Sequence, residues 1–274
     1  MLLIGSDPAL AGALANSHHL QGHVIEGAVG PFEAARVLRS RAFDVLITDP
    51  ATPAADDLEL MRALHEIRPG LKAIVLAPAV SSAEVIAALR EHVFAMFTRP
   101  VDYEEVADMA RAAIEDADWR DAIDVVSGVP YWITLRVSCR LITADRLTRF
   151  MTEYRSDLPS SERDLLMTAF REMLLNAMEH GAGFDPEKVI EVTAARTARA
   201  IVFHFRDPGE GFDRDDLKHA CNTPKPEDVI TSALERSDSG RRPGGFGMLI
   251  VRQIVDELVY NERGNEVIMV KHLT

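Results

Sequence analysis

Over residues 1–118, short apolar runs alternate with amphipathic stretches, and no other feature restricts the fold as strongly. The runs LLIG, HVIEGA, FDVLITD, KAIVLAP and FAMFTRP read as strands. Between and after them come helical patterns: one around residues 8–17, then PFEAARVLRSR, LELMRALHEIR, SAEVIAALREH and YEEVADMARAAIEDA. Apolar runs of strand length without polar alternation belong to strands covered on both faces. Strands separated by helices of about ten residues predict βαβ units and a parallel sheet. Five such units make a small doubly wound α/β domain.

The pattern changes near Asp121. DVVSGVP carries Ser, Gly and Pro and reads as a linker, which places the boundaries at 1–118, 119–130 and 131–274. YWITLRVSC alternates like a half-buried strand. Two helical stretches follow, ADRLTRFMTEYRSD and SERDLLMTAFREMLLNAMEHG, the second opening with a capping-box pattern from Ser161 to Asp164. VIEVTAAR and AIVFHFRD read as strands, FGMLIVRQIVDELVY as a helix and NEVIMVKHL as a closing strand. Between them, residues 212–243 are long, polar and punctuated by Pro and Gly. Loops of that length in a small domain are usually functional or disordered.

Charge and cysteine content remove several function classes. The formal net charge is −13, and basic residues are scattered apart from Arg241 and Arg242. Direct nucleic-acid binding needs clustered cations and is not expected. No apolar run reaches the ~20 residues of a membrane span, and the start has no basic leader. Cys139 and Cys221 are too far apart in sequence for a metal motif or a disulfide framework. A reducing cytoplasm fits.

The stretch REMLLNAMEHG, residues 171–181, poses the chemical question. Its apolar residues suit a core helix, yet Glu172 and Asn176 stand four apart and so share a face. Buried unpaired, each would cost about 1–3 kcal/mol. A polar stripe at a helix edge is one reading; a face turned into a ligand cleft is the other. Two more features follow. Asp207 ends a strand and opens D-x-G-x-G with Gly209 and Gly211. A carboxylate there can accept from an exocyclic amine, and glycines allow close backbone approach. GGFGMLIV is a glycine-rich entry to a helix, with Gly245 and Gly247 around Phe246. Helix N-termini with bare backbone suit phosphate, although an isolated G-x-G also serves as an ordinary turn.

Taken in order, these three motifs resemble the ATP-binding domain of the GHKL superfamily, an α/β sandwich, over about residues 131–274. The resemblance implies ATP and Mg2+ as ligands. Asn176 would hold the Mg2+, and Glu172 would act as general base or orient the phosphoryl acceptor. Asp207 would bind the adenine amine, and Gly209 and Gly211 would shape its pocket. Gly245 and Gly247 would lie against the phosphates, and Arg242 could reach them. Residues 212–243 would be the lid. EMLLNAMEHG, NTPKPE, LERS and the finish GNEVIMVKHL resemble the serine kinases that act as anti-sigma factors. The insertion DSGRRPG between LERS and GFGM departs from that pattern beside the phosphates.

FDVLITDPATP resembles the phosphoacceptor strand of a response-regulator receiver, with Asp49 at the acceptor position. Several positions depart from the receiver pattern. Gly5 and Ser6 stand where receivers place two acids, with Asp7 one place late. Ala77, Met96 and Arg99 replace the usual hydroxyl, aromatic and lysine. Asp49 alone is a poor magnesium site. The expectation is a receiver-shaped docking module, the alternative a live phosphoacceptor at Asp49.

The expected whole is a cytoplasmic, homodimeric serine/threonine kinase of the anti-sigma type. By resemblance it binds a sigma factor and phosphorylates a STAS-domain antagonist. Two alternatives stay open: an ATP-gated binding module without phosphoryl transfer, and a histidine-kinase-like domain acting in trans. A gyrase-type ATPase is not expected, since no transducer region follows.

Overall fold

The computed structural model of the chain describes residues 1–5, 7–155, 157–211 and 247–273. It divides into two units. One comprises Met1–Val125 with Arg149–Asp157, the other Val126–Thr148 with Leu158–Thr274.

The first unit holds five parallel strands: β1 (Leu2–Ile4), β2 (Glu26–Ala28), β3 (Val45–Ile47), β4 (Lys72–Ala77) and β5 (Ala95–Thr98). Their order, β2-β1-β3-β4-β5, is the flavodoxin-like order expected of a doubly wound sheet. β1, β3 and β4 are buried along their whole length, which is why their sequences show no polar alternation. Five helices cover them: α1 (Pro8–Asn16), α2 (Pro31–Ser40), α3 (Ala54–Ile67), α4 (Ser82–Arg90) and α5 (Tyr103–Glu115). α1 packs against α5, and α2 against α3. Val37, Leu38, Met61 and Leu64 close one face of the sheet over Leu2, Ile4 and Leu46. α4 starts with a capping box between Ser81 and Glu84.

The second unit is a six-stranded antiparallel sheet in the order β10-β11-β9-β8-β7-β6. Its strands are β6 (Ile123–Val129), β7 (Trp132–Ser138), β8 (Val189–Arg196), β9 (Ala200–Arg206), β10 (Glu257–Tyr260) and β11 (Glu266–His272). Ile133, Leu135 and Val137 alternate with more exposed neighbours along β7, as a one-sided sheet requires. Among the described residues, three helices accompany it: α6 (Leu141–Tyr154), α7 (Ser160–Asn176) and α8 (Gly247–Ile254). Phe170 of α7 meets Phe203 and Phe205 of β9 at ring-centroid distances of 4.9 and 5.2 Å. α8 packs on α7.

Three local expectations change. DVVSGVP is not a linker; it forms β6, joined to β7 by a two-residue turn at Pro130-Tyr131. Ser and Gly are tolerated there because β6 ends the strand order and is largely exposed. The helix read through DELVY stops at Ile254, and Glu257–Tyr260 pairs with β11, where Leu258 lies opposite Met269. The Ser161–Asp164 capping pattern is not used: α7 begins at Ser160 behind Pro159, with no side-chain cap.

α6 contributes to both units, because its last residues belong to the first. There Glu153 is buried and accepts from Thr98 N and Oγ1 at 3.2 and 2.7 Å. Arg149 pairs with Glu153 and lies over the Phe97 ring, 4.9 Å from its centroid. A buried carboxylate held this way has its charge compensated locally.

Asp57, in the first turn of α3, is only 3% exposed, and its Oδ2 has no hydrogen-bond partner. Burial pushes its carboxyl from the ordinary value of 3.8 up to about 7; a hydrogen bond to Thr48 opposes this, and Asp49 and Asp56 add to the rise. The folded chain therefore keeps a proton that the unfolded chain has released. That contribution to stability is present at acid pH and is lost as pH rises toward about 7. Asp57→Asn is expected to flatten this slope and to stabilise the chain at pH 8 by roughly 1–2 kcal/mol, after allowance for solvent screening. Urea unfolding at pH 5 and pH 8 measures it, and equal slopes in variant and parent would refute the assignment.

Candidate functional site

The site is assembled around α7. Leu166, Met167, Phe170, Met173 and Leu174 are buried on its inner side, while Glu172 and Asn176 are only half-buried. The helix then widens into a π turn over Ala177–Gly181. Single π turns of this kind recur at functional sites because they displace the side chains that follow them. Beyond it the chain reverses through Gly183 and Phe184, both at positive φ, with Phe184 N–H returning to Met178 O at 2.9 Å. That is a helix stop in the left-handed region, where glycine is favoured.

Asp207 lies one residue past β9 and is fixed from two directions. Its backbone N–H donates to Asn265 O at 3.0 Å, and its backbone O accepts from Asn265 Nδ2 at 3.2 Å. Asn265 is 8% exposed and is gripped in turn by Asn261, whose Oδ1 accepts the backbone N–H groups of residues 264–266. Pro208 has no N–H and ends the strand. The Asp207 Oδ1 accepts the Gly209 N–H at 2.8 Å. A carboxylate has about four acceptor positions, so this bond leaves capacity for another donor. Burial pushes the Asp207 carboxyl up, opposed by the Gly209 N–H, Arg263 and His180.

Glycines define the walls. A Cβ on Gly181 would overlap the Asp207 carboxylate, so the end of the α7–π segment abuts that acid. A Cβ on Gly209 would stand 2.8 Å from both Asp207 Oδ1 and Gly181 O. Gly211, at φ +84°, would drive a Cβ into the Arg263 carbonyl. Gly247 opens α8 and lies directly against the Glu172 carboxylate. Negative charge at a helix N-terminus is favourable, because the first turn leaves N–H groups unpaired.

The structure thus brings Glu172 to Gly247 at one end and Asp207 with Gly209 to Gly181 at the other. Asn176 lies between them on the connecting helix. From residue 172 to residue 176 the axial rise is about 6 Å. Gly211 packs on the Arg263 carbonyl, and Arg263 Nε donates to the neighbouring Glu210 O at 3.2 Å. Gly245, Arg241, Arg242, Cys221 and the segment 212–243 lie outside the described residues. Sequence reasoning left Gly181, Asn265 and Arg263 unassigned. Gly181 ends the very stretch that drew attention, so it was visible. Asn265 had no linear signal, since it meets Asp207 across 58 residues.

Cys139 is buried, and burial pushes its thiol up to about 11, so it is neither a thiolate nucleophile nor a ready metal ligand. In the first unit, Asp49 sits just beyond β3 and folds back on its own turn, its Oδ1 accepting Ala51 N–H at 2.8 Å. Its carboxylate lies against Gly5, where any side chain would collide with it. Asp7 is engaged elsewhere: it caps α1 through the N–H groups of Ala9 and Leu10 and accepts the Tyr103 hydroxyl at 3.2 Å.

Residues 137–271 match the histidine kinase-like ATPase domain family. The second unit carries a histidine kinase-like ATPase domain. The first unit has the five-stranded parallel sheet of a receiver-like fold. Among curated proteins, the chain is 28% identical over 148 residues to the transcriptional regulatory protein GlrR of Escherichia coli, covering 52% of this chain and 33% of that protein. It is 29% identical over 113 residues to the anti-sigma F factor of Anoxybacillus flavithermus, covering 40% of this chain and 68% of that protein. The chain spans about a third of the length of the first of these relatives. Among solved structures, a receiver domain protein from Methanospirillum hungatei matches 42% of this chain and 91% of its own, at 20% identity and a TM-score of 0.37. No helix among the described residues is long and apolar enough to cross a membrane.

Proposed function

We propose that this histidine kinase-like ATPase domain binds ATP with Mg2+ and transfers the γ-phosphoryl group to a serine or threonine of a protein partner. The observation that carries the proposal is the line from Gly247 and Glu172 through Asn176 to the Gly181–Asp207–Gly209 cradle. Its two ends differ in chemistry as the ends of a nucleotide do. At one end a carboxylate lies against Gly181 and Gly209, whose bare backbone suits the close approach of a flat base with an exocyclic amine. At the other, a helix N-terminus suits phosphate. Asn176 offers a hard oxygen donor for magnesium.

In this reading Asp207 accepts from the adenine amine, and Gly209 and Gly211 let the base approach the backbone. Gly247 faces the phosphates; Gly245 and Arg242, assigned to them by resemblance, lie outside the described residues. Mg2+, when bound, neutralises charge on the transferring phosphoryl group. Glu172 accepts the hydroxyl proton of the acceptor or orients it. The second unit forms the kinase domain, and the first serves as its regulatory docking module.

The similarity to an anti-sigma F factor supports a partner switch. The chain would hold a sigma factor, release it to a STAS-like antagonist, and phosphorylate that antagonist. A phosphate adds about −1.5 to −2 charges, which breaks an interface by desolvation and repulsion. Such a kinase works in the cytoplasm, and the related kinases imply a homodimer. Asp49, turned onto its own loop against Gly5, is not the phosphoacceptor in this proposal. Acetyl phosphate is expected to add no mass there, and a phosphorylated Asp49 in the mass spectrum would reverse that part.

The deciding experiment supplies labelled ATP to the full chain together with proteins that co-purify with it. Acid-stable label on a small partner supports the serine/threonine kinase. Acid-labile, base-stable label indicates a histidine acceptor and refutes it. ATP binding without label on any partner also refutes transfer and leaves a nucleotide-gated binding module.

A further inference from the structure

The first unit carries a second group of ligand-bearing side chains, outside everything assigned above. His18 and His19 lie on the one-turn 3-10 segment His18–Leu20 that follows α1, and Glu104 lies in the first turn of α5. One ligand atom from each of the three falls within 4.8 Å of the other two. We propose that these residues form a zinc site that ties the turn after α1 to the start of α5.

The chemistry of the three donors selects the ion. Two imidazoles and one carboxylate suit zinc, whereas magnesium and calcium take oxygen donors. Three protein ligands with water in the fourth position make an ordinary open zinc site. Zn–N bonds of about 2.0–2.1 Å place neighbouring donors of a tetrahedron roughly 3.3 Å apart. Rotation of exposed side chains covers the difference from the observed spread. His18 and Glu104 are exposed, so an ion can reach them from solvent.

Outer groups orient two of the three donors. Ser17, 3% exposed, donates through Oγ to Glu104 Oε2 at 3.1 Å. Asp108, one turn along α5 from Glu104, accepts from Arg111 at 2.8 Å, and the same Oδ1 stands 3.5 Å from His19 Nδ1, close enough to pair with it. A carboxylate behind a ligating histidine fixes its tautomer and raises its basicity, and such partners affect metal affinity about 10- to 100-fold. The rings of His18 and His19 already lie with centroids 3.9 Å apart, tilted by 39°. A surface histidine pair that serves only solvation needs neither a carboxylate ligand across from it nor a buried hydroxyl to orient that ligand. The ion would join α5 to the segment that packs beside it, and so stabilise that side of the sheet by linkage.

The test is a titration of Zn2+ alone into the metal-stripped full chain, without nucleotide, read by calorimetry and by thermal melting. One zinc per chain is expected, with a raised melting temperature. His18→Ala and Glu104→Gln should each lower the affinity by at least about tenfold, and Asp108→Asn by a similar factor. Circular dichroism checks that each variant is folded; if His18→Ala is not, Glu104→Gln decides alone. Co2+ in place of Zn2+ should give the intense visible bands of a four-coordinate ion. No saturable binding would overturn the proposal. So would one-to-one binding that is unchanged in Glu104→Gln, since the ion would then sit on other groups.

Discussion

Replacing Asn176 with alanine is expected to remove the Mg2+-dependent part of nucleotide affinity while leaving the fold intact. Asn176 is half-buried on the outer side of α7, and the helix is held by Phe170, Met173 and Leu174 on the other side. Its loss therefore removes a polar donor without opening the core. An interaction with a charged partner contributes about 1.5–3 kcal/mol, so affinity for Mg2+–ATP should fall roughly 10- to 100-fold. Calorimetry with and without EDTA measures this. The parent should bind more tightly with Mg2+, and the variant should show the same weak affinity in both conditions. Unchanged affinity in the variant would remove Asn176 from the site.

Glu172→Gln is expected to separate binding from transfer. The carboxylate lies against Gly247, and glutamine keeps its size while losing its basicity. A positioned general base contributes about 10²- to 10⁴-fold to rate. Transfer of labelled phosphate should fall by that factor, with nucleotide affinity changed less than about threefold. Retained transfer would end the base role. Lost binding would instead show that Glu172 supports the phosphate end of the site through Gly247, where the helix N-terminus opens.

The two variants act on one helix but read different quantities. Asn176→Ala moves affinity, and Glu172→Gln moves rate at nearly constant affinity. A chain that binds nucleotide only as a structural ligand would show the first effect and have no second effect to measure.

Much of this organisation was written in local sequence. Short apolar runs such as VLI and AIVLA, bounded by turn residues, fit strands covered on both faces, and both are buried throughout. The i, i+4 pairing of Glu172 and Asn176 within a greasy helix follows from the helical period alone. The D-x-G-x-G turn announced its need for backbone freedom, and Gly211 does stand at positive φ against another backbone. Where reading failed, the local signal had two meanings. Ser and Gly in DVVSGVP mark a linker or an exposed edge strand equally well, and β6 is the strand. ELVY continues a helical pattern and also alternates, and pairing with β11 decided for strand.

By itself, then, the sequence determined the alternating strands and helices of the first unit, its sheet class and the polar residues of the second unit. These depend on periodicities of two and 3.6 residues, which short windows contain. Only the tertiary structure decided what those residues face. Asp207 is fixed by Asn265 from 58 residues away, Glu172 meets Gly247, and Gly181 meets Asp207. His18, His19 and Glu104 converge only because α5 packs beside the turn that follows α1. Contacts of such sequence separation are set by the packing of whole elements, and no local window carries their register.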